Sequence, residues 1–203
     1  MQLIKDIDQQ SPEWFQMRML KATGTSATAI IANGKGLETL LMEKIGEYFD
    51  FKAGIIKEQY SNKHTERGNE LEPVARTLFE FELNKEVEEV CFVIKDDYCG
   101  CSPDGMVKNE NSIIEIKCFG AKHFIEYCET GKIDSVYSNQ MQFNMYITGA
   151  DECYYIVYHP TLGLLVKSVY KDENTFAKIE IGLQVYKEKI INLLNKYEKE
   201  NVK

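Results

Sequence analysis

The sequence lacks any apolar stretch that approaches the length of a membrane span, and its first residues, Met1 to Asp6, carry no apolar signal segment. Internal repeats and low-complexity segments are also absent. Neither the P-loop of nucleotide-binding proteins nor the G-x-S-x-G motif of serine hydrolases occurs. These absences exclude several common classes and lead us to expect a cytoplasmic globular protein without a membrane partner.

The sequence also has little that could bind zinc or an iron–sulfur cluster. Its six cysteines include no C-x-x-C pair, and its three histidines are far apart along the chain. Most of the cysteines lie in or next to predicted strands, where a thiol packs as a small apolar side chain. We therefore expect reduced, structural cysteines, and histidines that serve the surface or the packing.

An excess of basic residues is missing as well, because 24 Lys and Arg residues stand against 32 Asp and Glu residues, for a formal net charge of -8. A protein that coats DNA nonspecifically draws its affinity from a basic surface, so this class is disfavoured. The charge does not exclude a nuclease, since the carboxylates of a metal site count as negative until a cation binds. It predicts that any contact with DNA is confined to one lined channel.

The order of the predicted elements indicates an α/β fold. With 203 residues the chain can form a sizeable core, and we expect a single domain over residues 1–203. Helical patterns precede and follow a group of strand patterns, which predicts a central mixed β-sheet flanked by helices. Strands are predicted at 87–94, 98–102, 105–108, 112–118, 152–159 and 164–170, and longer helices at 37–49, 70–83, 135–147 and 173–198.

The most informative feature is the S-P-D-G segment Ser102–Gly105, which is followed by Glu115, Ile116 and Lys117. On a strand, side chains alternate between faces, so Glu115 and Lys117 share one face while Ile116 points into the core. Asp104 lies in a Pro-Gly turn, from which a short carboxylate can reach the same face. This pattern is typical of PD-(D/E)xK nucleases and predicts a restriction-endonuclease-like core.

These residues indicate a site for divalent cations beside a scissile phosphate. Carboxylate oxygens suit Mg²⁺ or Mn²⁺, and two ions can supply the attacking hydroxide, neutralise charge and assist the leaving oxygen. Asp104 would bridge the two ions, while Glu115 and the backbone carbonyl of Ile116 would complete one site. Glu72, on a predicted helix, would support the other ion, and Lys117 would contact the attacking water.

The E-x-K pattern by itself has an ordinary alternative, which is an edge strand that carries two solvated charges. The S-P-D-G turn at this distance, with both segments on strands, is what favours the nuclease interpretation.

Two glutamines, Gln140 and Gln142, lie on the predicted helix that follows the active strand. An amide can bind a phosphate oxygen or a water molecule without adding charge. The pattern fits polar positions on a half-buried helix equally well, so the residues alone leave both interpretations open.

A short helix is predicted to begin at Ser11 and to carry Trp14 and Arg18. A guanidinium can bind a phosphate through two hydrogen bonds, and the hydroxyls of Thr25 and Ser26 would lie at a helix N-terminus, where backbone amides attract anions. The residues alone favour a simpler interpretation, in which a surface arginine stacks on tryptophan.

Together these segments resemble the lambda-exonuclease-like, or YqaJ-like, viral recombinase family. The resemblance runs from Trp14 to about Pro160, with several motifs in the order that the family shows. It implies an alkaline, Mg²⁺-dependent exonuclease that digests one strand of double-stranded DNA from its 5′ end. The motifs are G-N-E-L-E-P-V-A-R-T-L-F-E-F at 68–81, C-S-P-D-G at 101–105, E-I-K-C at 115–118 and Q-M-Q at 140–142.

The resemblance also implies partners and residue roles. The remaining 3′ strand would pass to a single-strand annealing protein, and the enzyme would be a homo-oligomer that forms a ring-shaped trimer. Asp104 and Glu115 match metal ligands, and Lys117 matches the catalytic lysine. The other matches are Glu72 with an additional acidic residue, Gln142 with an active-site glutamine, and Arg18, Thr25 and Ser102 with residues that bind the 5′-phosphate.

One departure concerns strand separation, for which the resemblance implies an apolar side chain just ahead of the G-x-x-x-E segment. This chain has H-T-E-R at 64–67 instead. Two rival functions also stay open, namely an endonuclease of the same superfamily and an inactive module that binds DNA ends. Closed circular DNA separates the first rival from an exonuclease. The second is disfavoured because every metal-site position keeps a competent side chain.

Overall fold

Two β-sheets organise the fold, which a computed structural model describes for residues 1–5, 7, 11–55 and 63–200, with only the backbone described at 63–67, 69 and 200. In the larger sheet, one pair of neighbouring strands is parallel and the other three pairs are antiparallel, so the sheet is mixed, as predicted. Its strands in spatial order are β2 (Val87–Glu88), β5 (Gly105–Val107), β6 (Ser112–Lys117), β7 (Glu152–His159) and β8 (Gly163–Tyr170), and the smaller antiparallel sheet contains β1 (Gln2–Ile4), β3 (Phe92–Ile94) and β4 (Gly100–Cys101).

Helices flank these sheets, which confirms the predicted α/β class. The first helix begins as the sequence indicates, because the Ser11 hydroxyl accepts a hydrogen bond from the Trp14 backbone N–H at 3.2 Å and Pro12 occupies the first turn. The helices are α1 (Pro12–Arg18), α2 (Ala27–Ala32), α3 (Lys35–Lys52), α4 (Lys63–Leu83), α5 (Ala121–Thr130), α6 (Ser135–Thr148) and α7 (Glu173–Glu200), with a 3₁₀ turn at Gly24–Ser26.

Two regions differ from the sequence prediction by more than a few residues. The strand predicted at 87–94 is divided between β2 and β3, which belong to different sheets, and the Cys91 N–H donates to the Ile4 carbonyl at 2.9 Å where the chain crosses over. Helix α4 begins at Lys63 rather than at residue 70, so Pro73 lies inside the helix and not in its first turn. The helix continues through this position although proline lacks the N–H for one backbone hydrogen bond.

Strands β6 and β7 lie at the centre of the larger sheet and are covered on both faces, which suits their nearly continuous apolar sequences. Helix α4 contributes Ala75 and Phe79 to the core cluster on one face. Helix α6 contributes Met141 and Met145 to the cluster on the other face. Side chains on the Ile114 face of β6 are therefore held against α4, and those on the Ile113 face are held against α6.

Among residues 1–5, 7, 11–55 and 63–200, no helix combines the length and the apolar content that crossing a membrane requires.

Helices α2 and α7 approach each other closely at Gly182, where a Cβ atom would overlap the backbone carbonyl of Ile30. We therefore expect Gly182→Ala to destabilise the fold by about 1–3 kcal/mol, the usual range for overpacking. Alanine normally stabilises a helix interior by about 0.5–1 kcal/mol relative to glycine. A loss of stability in this variant would therefore indicate the close contact with the Ile30 carbonyl. Urea unfolding of the variant measures it.

Gly46 gives a matched control, because it lies inside α3 and nothing is within 4 Å of its Cβ position. Gly46→Ala should stabilise the protein slightly. If both variants gained stability, the close approach of α2 and α7 would be wrong.

Candidate active site

The C-terminal end of β6 borders a cavity of about 680 Å³. Glu115 and Lys117 reach it from the same face of the strand, as the alternation of side chains predicts. Glu72 of α4 and Asp104, which precedes β5, line the same cavity. The structure therefore brings the predicted carboxylates and the predicted lysine together, although they come from three separate parts of the chain.

Asp104 lies beside the end of β6, at the point where β5 no longer pairs with that strand. The pairing of β5 with β6 stops where Gly105 faces Ile114, and the Asp104 N–H then donates to the Ile114 carbonyl at 3.3 Å. One carboxylate oxygen of Asp104 accepts the Ile116 N–H at 2.6 Å. In a strand, the N–H and C=O of one residue point to the same side, so the Ile116 carbonyl also points toward Asp104. This is the arrangement that the predicted metal ligation by Ile116 requires.

Glu115 and Lys117 form a buried ion pair. The Lys117 Nζ lies 2.6 Å from one Glu115 carboxylate oxygen, and the glutamate side chain is only 1% exposed. The other carboxylate oxygen accepts a hydrogen bond from the Asn144 amide at 3.3 Å. Both oxygens of Glu115 are thus oriented by neighbouring donors.

Glu72 has a hydrogen-bond partner that the sequence did not indicate. The Arg76 guanidinium donates to the Glu72 carboxylate at 2.8 Å and also pairs with Glu89 at 2.5 Å. Within the part of the chain that the structure describes, no group of three or more His, Cys, Asp or Glu side chains is arranged to hold a metal ion. Glu72 is consequently a cavity residue held toward Arg76, while Asp104 and Glu115 lie on either side of the Ile116 backbone.

The carboxyl groups of this cavity have raised pKa values. Burial raises the pKa of Glu115 to about 7, with the Lys117 ammonium opposing the rise and Asp104 adding to it. Burial, followed by repulsion from Asp104, likewise raises the pKa of Glu72 to about 7. Burial raises the pKa of Asp104 as well, against the attraction of Lys117. Burial alone would lower the pKa of Lys117, but Glu115 and Asp104 outweigh it and raise that pKa.

This donor set fits a hard divalent cation. The carboxylates of Asp104 and Glu115 and the carbonyl of Ile116 are oxygen ligands of the kind that Mg²⁺ and Mn²⁺ prefer. The carboxyl pKa values are raised mainly because burial disfavours the charged form, and the three carboxyl groups of the cavity outnumber Lys117 and Arg76. A cation would stabilise the ionised carboxylates.

Gln142 does not face the cavity, so the expectation of an active-site role for this residue needs correction. Its amide donates to the Tyr170 carbonyl at 2.8 Å and accepts from the Asp172 N–H at 2.9 Å, which fixes the segment after β8 against α6. Gln140 lines the cavity instead. Two positions along a helix differ by about 200°, so only one of the two glutamines can face the site.

Asn144 is a site residue that the sequence analysis missed. It is 1% exposed, it donates to Glu115, and it packs against the Gly24 turn, where a Cβ would come within 2.5 Å of its Oδ1 atom. The signal in the sequence was the helical spacing of Tyr137, Gln140 and Asn144, which places all three on one face of α6.

A second cluster surrounds Arg18, and it contains the predicted phosphate-binding residues. The guanidinium donates to the Ser102 hydroxyl at 3.2 Å and to the Thr23 hydroxyl at 3.3 Å, and Thr23 is 3.1 Å from the Thr25 hydroxyl. Arg18 also stacks over the Trp14 ring, 4.0 Å from its centroid. Burial lowers the Arg18 pKa to about 10, and nearby cysteine and glutamate side chains oppose the change, so the group stays cationic at neutral pH. The predicted stacking of Arg18 on Trp14 is present, and its phosphate-binding role stays a prediction.

Comparison with known proteins assigns this arrangement to a family. The family model of the YqaJ-like viral recombinase domain matches residues 13–151, which include both clusters. The chain belongs to the YqaJ-like viral recombinase family. Membership in this family, together with the carboxylate–lysine site, makes the protein a deoxyribonuclease, as the sequence predicted.

Solved structures agree with the YqaJ-like assignment. The chain is similar to the alkaline exonuclease LHK-Exo from Laribacter hongkongensis, with a TM-score of 0.83 and 26% identity over 95% of this chain and 98% of that one. The complex of LHK-Exo with dAMP matches equally well. A phage-related exonuclease from Haemophilus somnus 129PT has a TM-score of 0.63 and 16% identity over 87% of this chain and 96% of that one, which supports the fold alone. Among curated proteins, no significant match was found.

The departure from the YqaJ-like pattern at 64–67 lies in the first turns of α4, and its side chains are outside the described residues. The expectation that strand separation differs here stays a prediction from the sequence.

The raised pKa values predict a pH-dependent response of this YqaJ-like nuclease to Mg²⁺. Because the pKa of Glu72 and Glu115 rises from 4.5 to about 7 on folding, the metal-free fold binds more protons than the unfolded chain in this window. Its stability should therefore fall as the pH rises from about 4.5 to about 7. Since Mg²⁺ competes with these protons, it should raise the melting temperature more at about pH 8 than at about pH 6. Thermal melting in Mg²⁺ or EDTA checks this.

Asp104→Asn serves as the control for this experiment, because the amide oxygen can still accept the Ile116 N–H while the charge is lost. The Mg²⁺ effect should disappear in this variant. A Mg²⁺ shift that is equal at both pH values, or that survives the substitution, would contradict the assignment of these carboxylates.

Proposed function

We propose that the protein is a Mg²⁺-dependent exonuclease that digests one strand of linear double-stranded DNA from its 5′ end. The observation that carries this proposal is the short connection between the two clusters. Ser102 belongs to the Arg18 cluster and Asp104 to the carboxylate cluster, and two residues span at most about 7 Å. This length is comparable with the distance between successive phosphates of one strand.

In this proposal the Arg18 cluster holds the terminal phosphate. Arg18 offers its guanidinium, fixed in direction by stacking on Trp14, and the hydroxyls of Thr25 and Ser102 add hydrogen bonds. A charge-assisted, two-point contact of this kind distinguishes a 5′-phosphate from a 5′-hydroxyl. The next phosphate of the strand then lies beside Asp104 and Glu115.

The carboxylate cluster would perform the hydrolysis. Asp104, Glu115 and the Ile116 carbonyl would hold a divalent cation, and Glu72 would support a second one. Such cations would supply charge neutralisation at the phosphate and would lower the pKa of a bound water molecule. Because its pKa is raised, Lys117 acts as a cation that stabilises charge on the phosphate oxygens. Gln140 is placed to orient a water molecule or a phosphate oxygen through its amide.

The products of this reaction support the direction of digestion. Water adds to phosphorus, and the bond from phosphorus to the 3′ oxygen of the first nucleotide breaks, which releases a 5′-mononucleotide. The shortened strand then begins with a new 5′-phosphate, the group that the Arg18 cluster would bind next. The structure of LHK-Exo with dAMP supports this scheme, since dAMP is a mononucleotide of the type released.

The proposal extends to assembly and partners. A net charge of -8 is easier to reconcile with a DNA-binding enzyme if a ring-shaped homotrimer concentrates its basic groups in a channel. Membership in a viral recombinase family supports a single-strand annealing protein as the partner that receives the 3′ strand. The cytoplasm of a bacterial host that carries a phage or prophage is the setting that suits this role.

Digestion assays on linear and covalently closed circular DNA test the reaction. We expect nucleotide release from linear duplexes with Mg²⁺, no release in EDTA, and intact circles. Lys117→Ala and Asp104→Asn should each lower the rate by about 100- to 1,000-fold or more, since each removes a charge beside the reacting phosphate. Lys108→Ala is the control, because this exposed lysine pairs with Glu86 and does not line the cavity. Cleaved circles would indicate an endonuclease instead.

The Arg18 assignment has its own test, which compares duplexes with 5′-phosphate and 5′-hydroxyl ends. Arg18→Ala should reduce the preference for phosphorylated ends by about 10- to 100-fold, the value of a charge-assisted hydrogen bond to phosphate. Lys21→Ala should keep the preference, because the Lys21 ammonium is directed to the Asp97 carbonyl at 2.8 Å. An unchanged preference in Arg18→Ala would remove the phosphate role.

A further inference from the structure

Aromatic side chains form part of the wall of the active-site cavity that contains the carboxylates. We call this surface the aromatic wall. It comes from the segment after β6, from α5, from α6 and from β7, so four different elements contribute to it. Its members are Phe119, His123, Tyr127, Tyr137 and Tyr155, and all five line the same cavity as Asp104 and Glu115.

The aromatic wall begins at the proposed catalytic lysine. The Lys117 Nζ lies 5.1 Å from the centroid of the Tyr137 ring. The Tyr137 ring is 5.8 Å from Phe119, and Phe119 is 6.1 Å from the His123 ring. A chain of rings in contact distance therefore leads from the ammonium along the cavity.

The fold fixes these rings, and Phe119 and Tyr137 keep part of their surface accessible. Tyr155 is 1% exposed and belongs to the core cluster between the sheet and α6. Phe119 and Tyr137 are half-buried and pack on that cluster, and Tyr137 stacks on Tyr155 at 6.4 Å with an angle of 29° between the rings. Rings held in this way lose little side-chain entropy when a flat ligand packs on them.

The charge of the cavity narrows the chemistry of the ligand. Glu72, Asp104 and Glu115 make one part of the wall acidic, so a polyanion enters only where a cation or Lys117 compensates. The aromatic wall offers rings to this cavity, which is also lined by the charged side chains of Glu126, Lys132 and Asp134. A nucleobase suits such a surface, because every base is flat, uncharged and able to stack on an aromatic ring.

We propose that the aromatic wall is a nucleobase subsite, in which Phe119 and Tyr137 stack on the base of the second nucleotide from the 5′ end. The proposal rests on the proposed function for the path of the strand. Arg18 and Ser102 lie outside the lining of this cavity, so the first nucleotide spans from their cluster to Lys117. In this path the scissile phosphate lies beside Lys117, and the strand on its 3′ side reaches the aromatic wall, where the Tyr137 ring is 5.1 Å from the Lys117 Nζ.

This subsite has a consequence for substrate choice. Stacking on a ring face holds any of the four bases, so digestion stays independent of sequence. A nucleotide without a base loses this contact and leaves its phosphate poorly positioned, since small displacements of a reacting group cost large factors in rate. The enzyme should slow when an abasic nucleotide reaches the second position.

Single-turnover release of the first nucleotide tests the subsite. The substrates are 5′-phosphorylated duplexes with a tetrahydrofuran abasic residue at the first or the second position of the digested strand. For the wild-type protein, loss of the second base should slow release by about tenfold or more, the cost of one lost stacking contact. Phe119→Leu should be slowed similarly on the intact duplex, and it should lose nothing further when the second base is absent.

Three controls make this comparison specific. Phe119→Tyr keeps a ring and should behave as the wild type. Phe81→Leu removes a ring that is 85% exposed on α4 and does not line the cavity, so it should also behave as the wild type. An abasic residue at the first position should slow the wild type and Phe119→Leu by the same factor. If the effects of Phe119→Leu and of the second abasic residue multiply, the ring does not contact that base and the proposal is wrong.

A binding measurement separates this proposal from the proposed function. A duplex with 2-aminopurine at the second position is bound in EDTA, where stacking on a ring quenches the fluorescence. The wild type should quench it and Phe119→Leu should not. Quenching that requires Phe119 without any nuclease activity would support the subsite and reject the exonuclease function. Exonuclease activity with equal quenching in both proteins would reject the subsite, and the absence of both signals would reject both proposals.

Discussion

The ion pair between Glu115 and Lys117 is the interaction on which the site depends. Two charges at the end of a central strand are expensive to bury, and their attraction compensates only when further hydrogen bonds complete the geometry. Here Asn144 supplies one such bond to Glu115, and Asp104 adds a second negative group near the ammonium. Because the acidic groups exceed the nearby cations, the arrangement suits the binding of another positive ion better than it suits stability alone.

The early end of β5 creates the space for this chemistry. If β5 had continued beside β6, its backbone would have taken the Ile116 N–H and C=O, and no carboxylate could have entered. The S-P-D-G turn ends the pairing at Gly105 and replaces a backbone acceptor with the Asp104 side chain. The same turn carries Ser102 to Arg18, so one short segment sets the distance between an anion site and a carboxylate site.

The sequence was informative wherever the alternation of strand side chains or a turn determines the position of a site residue. Strand alternation predicted the shared face of Glu115 and Lys117, and the Pro-Gly turn predicted that Asp104 joins them. It failed for Gln142, because the choice between two glutamines depends on which side of α6 meets the core, and that is a property of the tertiary structure. Asn144 was missed for the same reason, because its helical spacing from Gln140 gives the shared face but does not show that this face meets Glu115 and the Gly24 turn.

The two clusters should differ in what they need before they can bind DNA. Arg18 is already a cation with its hydroxyl partners in place, so a terminal phosphate can bind there without metal. The carboxylate cavity needs a cation before it can hydrolyse DNA, because the acidic groups there outnumber Lys117 and Arg76, and burial raises the pKa of Glu72 and Glu115 by disfavouring their ionised forms. Recognition of the DNA end and hydrolysis are therefore separable steps, and an acidic protein can hold its substrate first and complete its active site afterwards.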